Sequence, residues 1–240
     1  MRRIILLIYF ICGFLSLSAQ RNTFLQEITV GINGGINFSK VSFLHNVPYL
    51  SNQLGDVSMR SGMRFGLTTR YIAQKHFGIQ MEVNFHQGGW SERFSEIMIN
   101  QVSFEDVSLS RRINYLEVPL LAHIYFGNKT RFFVNVGPKI GFLIYYGDLN
   151  HNLTDIQLAA FENNDPRFSD DGYNSVDYGL SVGGGMDFLI GRFHTIVEGR
   201  YTFGFADLYN STKKDVFQRS NNQNVAVIFT FMLPVKNFYR

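Results

Sequence analysis

Ile113 to Tyr146 reads I-N-Y-L-E-V-P-L-L-A-H-I-Y-F, then G-N-K, then T-R-F-F-V-N-V-G-P-K-I-G-F-L-I-Y-Y, and this stretch decides the fold. In the first arm Leu116, Val118, Leu120, Ala122, Ile124 and Phe126 share one parity, opposed by Tyr115, Glu117, Pro119, Leu121, His123 and Tyr125. In the second arm Phe132, Val134, Val136, Pro138, Ile140, Phe142 and Ile144 alternate with Phe133, Asn135, Gly137, Lys139, Gly141, Leu143 and Tyr145. Period-two alternation across a short polar break at Gly127-Asn128-Lys129 predicts a β-hairpin. Its arms are about three times the usual strand length of a soluble domain. One face is almost wholly apolar while the other mixes charge, amide, glycine and tyrosine. That inversion suits a transmembrane β-barrel, with lipid outside and a polar filling inside.

The same pattern runs outward in both directions. Ile28, Val30, Ile32, Ile36 and Phe38 alternate with small and polar residues over 27–40. Further strands are predicted at 59–73, 77–88, 175–190, 195–207 and 222–233. With the central hairpin this makes eight, all within about residues 27–233. The connections alternate between long and short. The short ones are Gln74-Lys75-His76, Gly127-Asn128-Lys129 and Gly191-Arg192-Phe193-His194. The long ones are 41–58, 89–111, 147–174 and 208–221. The expected fold is all-β: an eight-stranded antiparallel up-and-down transmembrane barrel with short periplasmic turns and long extracellular loops, in the cell outer membrane. Tyr71, Tyr145, Tyr146 and Trp90 are expected in its aromatic girdles.

Composition narrows the function. Met1 to Ala19 reads as a signal peptide, with Arg2 and Arg3 before an apolar run and Ser16-Leu17-Ser18-Ala19 before the break. Residues 20–240 form one barrel domain. The single cysteine, Cys12, lies in the leader, so no disulfide supports the barrel domain. The chain holds 22 basic and 19 acidic residues; without Arg2 and Arg3, 20 face 19, which leaves no basic surface for nucleic acid. Outside the leader no apolar run reaches the roughly 18 residues of a helical span.

G-I-N-G-G-I-N-F-S at 31–39, Y-L-E-V-P-L-L at 115–121, V-G-P-K-I-G at 136–141 and V-E-G-R-Y-T-F-G at 197–204 together resemble the PorT-like outer-membrane β-barrel family. The resemblance spans essentially the whole barrel domain. It implies an eight-stranded barrel in a Gram-negative outer membrane, with Pro119 and Pro138 taken up as local irregularities. The family's founding member is associated with secretion and gliding, but a shared fold does not carry function.

Strand parity points ten charged side chains into the lumen: Arg60, Arg64, Arg70, Lys139 and Arg200 against Glu82, Glu117, Asp177, Asp187 and Glu198. An eight-stranded barrel has room inside only for its own side chains. Charges confined there have to be paired, so a salt-bridged plug is expected. A three-residue turn pairing Phe126 with Thr130 would set Glu117 opposite Lys139. No catalytic, cofactor-binding or metal-ligating set is read. His86 has no spacing relationship with Ser91 or Asp106 that supports a nucleophile. Asp165, Asp170 and Asp171 lack the alternation of a calcium loop. The expectation is a non-enzymatic barrel without cofactor. Its expected partners are outer-membrane lipid and a protein met at the loops or the periplasmic rim. A narrow passive channel is the alternative, and a barrel enzyme acting on lipid or peptide a further one.

Overall fold

The computed structural model describes residues 26–45, 56–99, 102–152, 154, 174–208 and 217–238. The segment expected to be a leader, residues 1–19, and the acidic stretch around Asp165–Asp171 lie outside the described residues. Among the described residues nine strands follow one another: β1 (Gln26–His45), β2 (Asp56–Ser58), β3 (Arg60–Gln74), β4 (Phe77–Ile99), β5 (Val102–Gly127), β6 (Thr130–His151), β7 (Val176–Ile190), β8 (Phe193–Asp207) and β9 (Phe217–Phe238). β2 is a three-residue strip on β4, separated from β3 by Met59 alone. The other eight form an antiparallel ring in the order β4-β3-β1-β9-β8-β7-β6-β5, closed by pairing of β4 with β5. Closure removes every sheet edge over the barrel wall, the condition for crossing a bilayer with strands.

Parity sorts the side chains as lipid and lumen require. Ile32, Leu67, Phe132, Val136, Leu180 and Phe229 are outward and exposed, while Asn33, Thr68, Asn135, Glu198 and Thr230 are inward and buried. Each short turn contains, or borders on, a residue with positive φ: His76 at 74°, Gly127 at 110° and Gly191 at 64°. Glycine takes that conformation without a Cβ penalty. His76 is held in it from both sides, since Tyr125 N donates to His76 O at 3.1 Å and His76 Nδ1 lies 2.9 Å from Tyr125 O.

Three expectations are corrected. First, the strands run past their predicted ends: β4 and β5 stay paired as far as Ile99 and Val102, so 89–111 is mostly hairpin rather than loop. Beyond the bilayer a strand needs no apolar outer face, and the alternation that marks it fades while the backbone ladder continues. Second, the central hairpin is shifted. Gly127 pairs with Arg131 and Phe126 with Phe132, which places Glu117 opposite Gly141 and Lys139 opposite Pro119. Because Gly127 tolerates φ 110°, it stays in the ladder and moves the turn on by one residue. Third, Trp90 is fully buried on the lumen parity and is no girdle residue.

Pro119 and Pro138 leave the register in step, whereas Pro234 stands at a shift of the β1–β9 ladder, between the Ile28–Lys236 and Thr29–Pro234 pairs. The β4–β5 ladder skips Glu82, opposite Pro119, and Val83, opposite Val118, and resumes at Asn84–Glu117 without a shift. A missing N–H donor costs ladder bonds, but the strands on either side hold their alignment.

Candidate functional site: the charged lumen

The barrel interior is layered. At the short-turn end Ile72, Tyr125, Phe133, Ile196 and Met232 form a buried apolar cluster. At the long-connection end Val41, Trp90, Leu109, Ile113 and Leu208 are buried. Between them stand charged side chains with almost no solvent exposure.

Arg200 is the hub. From β8 it crosses to Glu82 on β4 with a two-pronged contact, Nη1 to Oε2 and Nη2 to Oε1, both at 2.7 Å. Two further N–H groups meet Glu198, Nε to Oε1 at 2.7 Å and Nη2 to Oε2 at 2.9 Å. Such a fork depends on the planar guanidinium, and a lysine cannot reproduce it. Arg64 follows, 3.5 Å from Glu82 and 4.0 Å from Glu117. Lys139 then joins Glu117 at 3.2 Å and Asp177 at 2.7 Å. The result is one alternating file: Glu198, Arg200, Glu82, Arg64, Glu117, Lys139, Asp177.

Neutral amides connect this file to the short-turn end. Gln80 donates to Glu82 at 2.5 Å and accepts from Arg70 Nε at 2.8 Å. Arg70 meets Asp187 at 3.2 Å. His194 then bridges Asp187, at 2.9 Å, and Glu27, at 3.5 Å. Asn84 and Asn135 brace Glu82 and Glu198 at 2.8 and 3.1 Å. Glycine provides room for one member: a Cβ at Gly183 would collide with Glu198 Oε1.

The structure therefore brings together Arg64, Arg70, Glu82, Glu117, Lys139, Asp177, Asp187, Glu198 and Arg200. Arg60 stands apart, half-buried nearer the mouth, with Nη1 donating to Ser110 Oγ at 2.6 Å. The expected five-to-five balance becomes four cations against five carboxylates. Sequence reading missed His194, which it placed in a turn; a strand starting at Phe193 puts His194 on the parity of Ile196 and Glu198. It also passed over Glu27 and the amides, whose parity was visible but whose type suggested no chemistry. His86 faces Glu117 at 3.7 Å, whereas Asp106 is exposed beside Arg93, so these two do not meet. Among the described residues no three acidic or histidine groups gather to hold a metal.

Comparison with known proteins gives one family match, to the outer membrane protein beta-barrel domain, over residues 18–210. Solved structures that resemble the chain include the outer membrane protein OprG from Pseudomonas aeruginosa, 13% identical, covering 89% of this chain and 97% of that one, with a TM-score of 0.48. Ail, the attachment invasion locus protein of Yersinia pestis, is 12% identical, covering 86% and 99%, with a TM-score of 0.38. Outer Membrane Protein W of E. coli is 17% identical, covering 85% and 97%, with a TM-score of 0.36. No curated protein sequence matches the chain significantly.

Proposed function

Since this chain belongs to the outer membrane protein β-barrel domain family and resides in the outer membrane, we propose that it is a non-enzymatic barrel whose lumen is plugged by its own side chains. Its role is then structural, surface-interacting or secretion-associated, exercised through a protein partner at the long connections or the short-turn rim. The finer placement among PorT-like barrels is part of the same proposal and rests on the motifs at 115–121 and 136–141.

The observation that carries this reading is Arg200, which spans the lumen from Glu198 to Glu82 with four guanidinium N–H groups donated to the two carboxylates. An open channel would need that contact broken along with the charge file around it. A buried, multiply hydrogen-bonded ion pair resists such opening, because removing either partner strands the other charge.

The test is conductance of the purified protein in planar bilayers. No unitary steps are expected, and reproducible ohmic steps would overturn the plugged reading in favour of a narrow channel. The non-enzymatic part has its own check: lipid A mass spectra from cells with and without the protein should be identical. A partner is sought by photo-crosslinking from residues in the long connections, with the short turns as comparison.

A further inference from the structure

We infer that the lumen binds a monovalent cation beside Asp177, at the long-connection end of the charge file. This goes beyond the proposed function and does not depend on whether the barrel conducts.

The file begins and ends on a carboxylate. Glu198, Glu82, Glu117 and Asp177 alternate with only Arg200, Arg64 and Lys139, and all seven are more than nine-tenths buried. One negative charge is therefore in surplus, in surroundings where an unpaired ion is costly. The two ends differ. At Glu198 both oxygens are satisfied, Oε1 by Arg200 and Oε2 by Arg200 and Asn135. At Asp177, Lys139 and Asn222 both donate to Oδ2, at 2.7 and 3.3 Å. Asp177 Oδ1 is buried and has no donor among the described residues.

That oxygen leans over Gly204 on the neighbouring β8. A Cβ at Gly204 would lie 2.8 Å from Asp177 Oδ1 and 3.2 Å from the carbonyl oxygen of Asn222. The position over this glycine is thus flanked by one carboxylate oxygen and one peptide oxygen, with the Asn222 Cβ beside them at 3.3 Å. A single carboxylate with carbonyl oxygen suits an alkali ion; calcium and magnesium sites draw on more charge. Two other titratable groups stand near this stretch. His86 lies 3.7 Å from Glu117, in mid-file, and Tyr115 accepts from Asn222 Nδ2 at 3.3 Å.

The experiment uses the full barrel refolded in phosphatidylcholine vesicles, with urea unfolding followed by the fluorescence of Trp90, the one tryptophan of the chain. Midpoints are compared in sodium, potassium and choline chloride at equal ionic strength. A saturable rise with sodium or potassium over choline is expected. Gly204→Ala fills the space and keeps every charge, and should remove the alkali effect. Asp177→Asn should remove it too, while Gly184→Ala, on the lipid face, should retain it. If Asp177→Asn does not fold, Gly204→Ala and sodium-23 relaxation on the wild type carry the test. Equal midpoints of the wild type in all three salts would overturn the inference and leave the surplus charge to a proton. An alkali effect that survives Gly204→Ala would overturn it as well.

Discussion

Lys139 Nζ lies 3.2 Å from Glu117 Oε1 although the two residues do not face each other in the ladder: Lys139 is opposite Pro119, and Glu117 is opposite Gly141. The pair is diagonal, and the length of the lysine side chain closes the gap. Lys139 has a second partner in Asp177 at 2.7 Å, and Glu117 a second cation in Arg64 at 4.0 Å.

This arrangement makes a double-mutant cycle informative. Glu117→Gln or Lys139→Met alone should cost on the order of 3–5 kcal/mol, since each strands buried charge. Lys139→Met should cost the more, because it exposes two carboxylates to one another. The double variant should cost less than the sum. Urea unfolding in vesicles reads all three; strictly additive costs would mean that the two groups do not act together.

Arg200 should tolerate no basic substitute. Arg200→Lys keeps the charge but cannot hold Glu82 and Glu198 by paired parallel N–H bonds. We expect Arg200→Lys to recover less than half of the loss seen in Arg200→Met, itself on the order of 3–5 kcal/mol. Near-complete recovery by lysine would show that charge alone matters there.

Gly183 and Gly184 are adjacent but should respond differently. A Cβ at Gly183 would displace the Glu198 carboxylate, whereas at Gly184 the nearest atom is Phe133 O at 3.4 Å, on the outer face. Gly183→Ala should destabilise by roughly 1–3 kcal/mol, and Gly184→Ala should be neutral or slightly stabilising. Similar unfolding midpoints for the two variants would contradict this account of Glu198.

The outer face offers a fourth check. Val136 is outward and exposed to lipid, and Val136→Arg should cost about 2–4 kcal/mol if it lies near the midplane. Asn128→Arg, in an exposed turn, should be almost without effect. The comparison is made in vesicles, where equal losses at the two sites would refute the lipid-facing assignment.

The alternation of Ile32, Leu67, Val134 and Phe229 with Asn33, Thr68, Asn135 and Thr230 by itself determined the barrel and its two faces. A bilayer makes the same demand on every outward position, so the signal is local and repeats with period two. Parity likewise sent Glu82, Glu117, Lys139 and Arg200 inward. What parity could not determine is which charge meets which. Arg200 and Glu82 are 118 positions apart in the chain, and their meeting depends on how far the ring is staggered as it closes. Turn geometry decided the rest of the register: Gly127 holds a positive φ within the ladder and so changes the partner of every residue in the central hairpin. The upper strands and the burial of Trp90 also waited for the tertiary structure, because beyond the lipid no uniform apolar requirement marks a strand. The surplus carboxylate at Asp177 emerged only there, once Arg60 was found on Ser110 and outside the charge file.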